Sequence, residues 1–163
     1  MAEGPVRPGE GILERRLKAR PIADPVQRAT MNLQIAAAHL EEDLGRVTAT
    51  EGLSTSALNV LRILRGQPEG HPRLEISARM IYRNADVTRI VDRLTRRGLV
   101  ERVRSTADRR LSVTRITKKG LQALQRLDDH IRAFADRYRR KMSARDYGEL
   151  NRLLEAMYAD DVE

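Results

Sequence analysis

The sequence predicts a mainly α-helical protein with one small β-hairpin. Apolar residues recur at three- and four-residue spacing over most of the chain, and only residues 99–116 change to short β-branched runs. Aromatic residues make up 3% and charged residues 33%, with no Trp. A core built from so few rings is aliphatic, and the composition suits helices better than a β-sandwich.

Residues 1–23 combine Pro5, Pro8 and Pro21 with Gly4, Gly9 and Gly11 around the charged patch "LERRLKAR". This composition predicts a flexible arm with one helical stretch. A domain over 24–163 follows. Asp24 and Pro25 are suited to the N-cap and first position of a helix reaching about Thr48. Its "IAAAHL" face is small enough for close packing. Ser54 caps a second helix with Leu58, Leu61 and Leu64 on one face, ending at Gly66.

After the loop "GQPEGHP", a short helix covers "RLEISARMI". The chain turns at "YRN", and Asn84 is the expected cap of "ADVTRIVDRLTRR". Val87, Ile90, Val91 and Leu94 lie at i, i+3, i+4 and i+7, so one side faces the core. Gly98 stands where a left-handed residue ends a helix. "LVERVR" and "LSVTRI" then form a two-stranded ribbon around the bend "STADRR". Thr117 caps a long helix to about Lys141, with Leu121, Leu124, Leu127, Ile131, Phe134 and Tyr138 as its apolar repeat. Ser143 and Asp146 form a capping box for a last helix bearing Leu150, Leu153, Leu154 and Met157.

Two helices, a turn and a ribbon make a winged helix-turn-helix, expected over about 53–117. Helices at about 24–48 and 117–160 flank it. Their apolar faces exceed what one chain of this length can cover, so we expect them to assemble a symmetric homodimer.

The net charge is +8, and its location is the informative part. Residues 83–119 hold twelve basic and four acidic residues, so this window accounts for all of it. A basic segment in an otherwise balanced chain points to a polyanion, most simply nucleic acid. On the fourth helix, Ala85, Arg89, Asp92 and Arg96 lie opposite the apolar side, flanked by Thr88 and Arg93. Such a helix enters the major groove, where Arg89 can pair bidentately with guanine. Thr88 can donate to phosphate, and Arg93 and Arg96 extend the basic face. Asp92 is expected to hold Arg89 or Arg96 one turn away. Arg109 is expected at phosphate. Arg104 and Arg115, on the ribbon, suit structural or phosphate contacts.

Residues 86–120 resemble the MarR family of bacterial transcription regulators. The similarity lies in Thr88-Arg-x-x-Asp-x-Leu, Gly98-Leu-Val-x-Arg102, Asp108-Arg-Arg110 and Ile116-Thr-x-x-Gly120, in that order. The helix order resembles the family along residues 24–160. The resemblance implies that the ribbon is a wing whose Arg110 enters the minor groove, braced by Asp108. A narrow minor groove concentrates negative potential and attracts such an arginine. The family further implies a homodimer on a palindromic double-stranded DNA operator, usually as a repressor, and in many members a small-molecule effector that releases the DNA.

The residues name no effector pocket. There are no cysteines, so disulfides and thiolate sensing are excluded for this chain. His39, His71 and His130 are scattered, and His39 with Glu42 and Asp43 is a weak cluster, so we expect no metal. We expect no cofactor either. No nucleophile elbow, phosphate loop or catalytic constellation appears, so an enzyme is not expected. No apolar run suits a membrane span and no signal-peptide core is visible, so we expect a cytoplasmic protein without membrane association. The alternatives are a winged-helix module for nonspecific nucleic-acid binding, or one for protein–protein contact. Selectivity between duplexes distinguishes the first, and an arginine-tipped wing speaks against the second.

Overall fold

The computed structural model describes residues 11–83, 85–104 and 112–161. It is mostly helical with one antiparallel hairpin, as the sequence predicts. The chain divides into two units, Met1–Asp43 and Leu44–Glu163.

In the first unit, α1 (Ile12–Leu17) is the helical stretch expected within the arm. Leu13 and Glu14 are buried. The Glu14 carboxylate accepts the Gly11 N–H at 3.0 Å and pairs with Arg28. Backbone hydrogen bonding first, and then Arg28, hold that carboxyl below its ordinary value against the cost of burial. Arg28 belongs to α2 (Pro25–Ala49). Asp24 caps α2, accepting from Val26 N–H at 3.0 Å and Gln27 N–H at 3.3 Å. Arg16 donates to His39 Nε2 at 2.7 Å. Among the described residues no group of His and carboxylates could hold a metal.

In the second unit, Ser54 accepts from Ala57 N–H and starts α3 (Thr55–Arg65). Leu58, Leu61 and Leu64 are buried as their spacing predicts, with Val60 beside them. The short α4 (Arg73–Ala78) contributes Ile76, and Met80 follows in the turn. Helix α5 spans Val87–Arg96, and its Val87, Val91 and Leu94 complete the middle of the core. Strands β1 (Val100–Arg104) and β2 (Ser112–Ile116) pair antiparallel, Val100 opposite Ile116 and Arg104 opposite Ser112. His71 adds a single bridge to Thr114, which ties the loop before α4 to the ribbon.

Helix α6 (Lys118–Arg139) closes the core with Ala123, Leu124 and Leu127. Thr117 caps it, accepting from Gly120 N–H and donating to Gly98 O at 2.7 Å. Gly120 is required by close approach, since a Cβ there would stand 2.2 Å from Leu99 O. Leu121 departs from the expected apolar repeat and is exposed. The close approach at Gly120 turns positions 120, 123, 124 and 127 inward, which leaves 121 on the outer side. Helix α7 (Ala144–Ala156) begins at the predicted capping box of Ser143 and Asp146. None of its residues is buried, and Leu153, Met157 and Tyr158 stand exposed.

Candidate nucleic-acid interface

The start of α5 corrects one expectation. The cap is Asp86, whose carboxylate accepts the Arg89 N–H at 3.1 Å. Asn84, the expected cap, lies outside the described residues, and the helix begins at Val87. Ala85 therefore precedes the helix and packs against the core, not on the outer face. The far end follows the sequence. Gly98 takes a φ of 69°, its N–H bonds Thr95 O, and Leu99 N–H bonds Leu94 O. These two bonds are the Schellman pattern, and they turn the chain straight into β1.

With Val87, Val91 and Leu94 locked inward, the outer side of α5 is set. Arg89, Asp92, Arg93, Thr95 and Arg96 line one open concavity. Arg89 is 82% exposed and lies only within 4.0 Å of Asp86. Arg93 and Arg96 are exposed and have no carboxylate partner among the described residues. Three of the four predicted base and phosphate contacts on α5 thus come together on one surface. Thr88, the fourth, sits on the shoulder facing the ribbon, where its Oγ1 accepts from Arg73 Nη1 at 2.8 Å.

Asp92 does not hold Arg89 or Arg96. It accepts from Arg102 Nη2 at 2.5 Å, a link from α5 to β1. Strand β1 packs against α5, which brings Arg102 within reach of Asp92. The carboxylate that could have neutralised the helix's arginines is engaged elsewhere.

Several other cations of the basic window have structural roles. Arg97 donates to Gly52 O at 2.6 Å and Glu51 O at 2.7 Å. Lys119 donates to Arg97 O at 2.8 Å, and Arg115 Nε to Pro68 O at 3.1 Å. Removing these from the count concentrates the available charge on α5 and the ribbon end, where Arg104 is exposed. Asp108, Arg109 and Arg110 lie outside the described residues. The sequence did not single out Arg73. Its signal was a cation following Pro72 in the first turn of a helix, where backbone dipoles disfavour positive charge.

Known proteins share this fold. The model of the MarR family matches residues 53–112, the span from the start of α3 into the ribbon. A MarR transcription factor from Planctomyces limnophilus is 32% identical, with a TM-score of 0.62 over 83% of this chain and 98% of that one.

The chain belongs to the MarR family. It is therefore a transcription regulator with a winged helix-turn-helix, in which α4 and α5 are the helix-turn-helix and β1 and β2 the wing. The transcriptional repressor CouR, solved on a 23-mer DNA duplex, is 27% identical with a TM-score of 0.65, covering 80% of this chain and 91% of that one. The PcaV regulator of Streptomyces coelicolor, solved with its natural ligand, is 26% identical with a TM-score of 0.61, covering 86% of this chain and 95% of that one.

Proposed function

We propose that this MarR-family protein is a homodimeric repressor that binds a palindromic operator and releases it when a small molecule binds. The observation that carries this reading is the outer face of α5, where Arg89, Arg93 and Arg96 converge on one concavity whose own carboxylate, Asp92, is engaged by Arg102, and where Arg89 reaches Asp86 only at 4.0 Å. Arg89 pairs with a guanine in the major groove, worth roughly 1–3 kcal/mol of discrimination. Thr88, Arg93 and Arg96 contact phosphate, which positions the helix. Arg110 enters the minor groove, braced by Asp108, and Arg109 meets the adjoining phosphate.

Segments of about 24–48 and 117–160 form the dimer around a winged module of about 53–117, with residues 1–23 as an arm. The exposed Leu153 of the last helix, with Met157 and Tyr158 just past its end, supports this, because apolar surface of that kind is normally covered. A two-fold dimer presents two α5 helices to two half-sites. Light scattering at micromolar concentration reads the assembly, and a monomer there overturns it.

Release by a small molecule is supported by the relatedness to PcaV, which was solved with its ligand. The repressor reading is supported by the relatedness to CouR. No described helix is long and apolar enough to cross a membrane. A cytoplasmic location goes with a DNA partner, and we read the chain as a regulator without enzymatic activity.

Fluorescence anisotropy tests the whole reading. The probes are the gene's own upstream intergenic fragment and a scrambled duplex of equal length, each at two salt concentrations. We expect a strong preference for the upstream fragment and a steep salt dependence. Absence of binding to either duplex overturns it.

A further inference from the structure

A second concavity lies between α5 and the ribbon. It is lined by Arg73, Thr88, Val91, Arg102, Ser112 and Thr114. Its place in the fold gives it a use. A helix in the major groove and a wing in the adjacent minor groove have one sugar-phosphate strand between them. That strand crosses the molecule where α5 and the ribbon meet, which is where this concavity opens.

The lining has the chemistry for a phosphodiester. Arg102 is engaged by Asp92, so its charge is largely answered. Arg73 is exposed and has no carboxylate partner among the described residues. It donates one N–H to Thr88 Oγ1, which leaves its other guanidinium donors available at this exposed position. The same bond ties the guanidinium to α5 at the lining of the cleft. Thr88 uses an oxygen lone pair there and keeps its hydroxyl proton to donate. Ser112 is exposed on the opposite wall, on β2 facing Arg104 of β1. The cleft therefore offers one unneutralised fork of donors and three hydroxyls, those of Thr88, Ser112 and the buried Thr114.

We propose that Arg73, held by Thr88, clamps the backbone phosphate lying between the two grooves that α5 and the wing occupy. This rests on the DNA-binding reading above. The contact reads no base, so it adds affinity equally to every sequence and sets the register of α5 against the wing. In a dimer it occurs twice.

The test is a salt series of anisotropy titrations with full-length wild type, Arg73→Ala, Arg73→Lys and Thr88→Val, on the upstream fragment and the scrambled duplex. For Arg73→Ala we expect affinity to fall about tenfold or more on both duplexes alike, with a salt slope shallower by about 2, one phosphate per protomer. Arg73→Lys keeps the slope, because the charge remains, and loses part of the affinity with the lost fork. Thr88→Val weakens binding and keeps most of the slope. Phosphate-ethylation interference adds a positional readout: Arg73→Ala should erase interference at one phosphate per half-site. A merely structural role for Arg73 moves neither the slope nor a single phosphate. An unchanged slope with Arg73→Ala overturns the clamp and leaves the DNA-binding reading intact. A loss confined to the upstream fragment also overturns it, by making Arg73 a reader of sequence. If wild type itself binds neither duplex, both readings fall.

Discussion

Arg126, Arg132, Arg139 and Arg152 on α6 and α7, and Arg93 and Arg96 on α5, are the same side chain in two different situations. On α6, Arg126 makes a bidentate pair with Glu51, at 2.7 and 2.8 Å, and Arg132 and Arg139 pair with Asp129 and Asp136 one turn back. On α7, Arg152 is held by Glu149 in the same way. On α5, Arg93 and Arg96 have no such partner among the described residues, and the helix's own Asp92 is turned to Arg102. Density of arginine is therefore a poor marker of an interface. The marker is arginine whose neighbouring carboxylate has been taken by another element, because that charge remains for an external anion.

If this distinction is right, substitutions on the two sets separate cleanly. Arg89→Ala should cost about 100-fold in affinity for the upstream fragment, since the dimer loses a base contact of at least ~1.4 kcal/mol in each half-site. The loss on a scrambled duplex should be much smaller. Equal losses on both would make Arg89 a phosphate contact. Arg110→Ala should follow, at roughly 30-fold, with the dimer and its thermal midpoint unchanged; unaltered affinity in the same titration would remove the wing from the interface. Arg93→Ala and Arg96→Ala should each cost about fivefold on both duplexes and make the salt slope shallower. Identical slopes for wild type and variant would show that these positions meet solvent only.

Arg126→Ala should be the mirror image. We expect unchanged DNA affinity and a melting midpoint lower by roughly 2 °C at pH 7, because an exposed pair contributes little. The Arg126 hydrogen bond holds the Glu51 carboxyl below its ordinary value of 4.5. A lowered carboxyl pKa stabilises the fold above the unfolded value and stops doing so as pH falls through the folded one. The gap between wild type and Arg126→Ala should therefore be full above about pH 5 and shrink as pH falls below 4.5. Scanning calorimetry across that range checks it. A gap that persists in acid would mean that Arg126 stabilises by packing and not by charge.

The fold was legible from the sequence where its causes are local. Asp24, Ser54, Thr117 and Ser143 cap helices by bonding an N–H two or three residues away, and Gly98 ends α5 through its own left-handed backbone. The inward positions of α5 followed from helical spacing alone. The cap of α5, expected at Asn84, is Asp86, because the turn that delivers the chain decides where the helix begins.

The site was legible only in part. Sequence by itself determined that α5 is amphipathic, that its outer face is basic, and that the excess charge lies in one window. Tertiary structure decided which cations remain available. Arg102 finds Asp92 ten residues away, Arg73 finds Thr88 at fifteen, Arg97 finds Glu51 O at forty-six and Arg126 finds Glu51 at seventy-five. No helical or strand period reaches across such separations. A side chain's partner at that range is whatever the packing of apolar faces brings beside it, so neutralisation, unlike periodicity, is a property of the folded molecule.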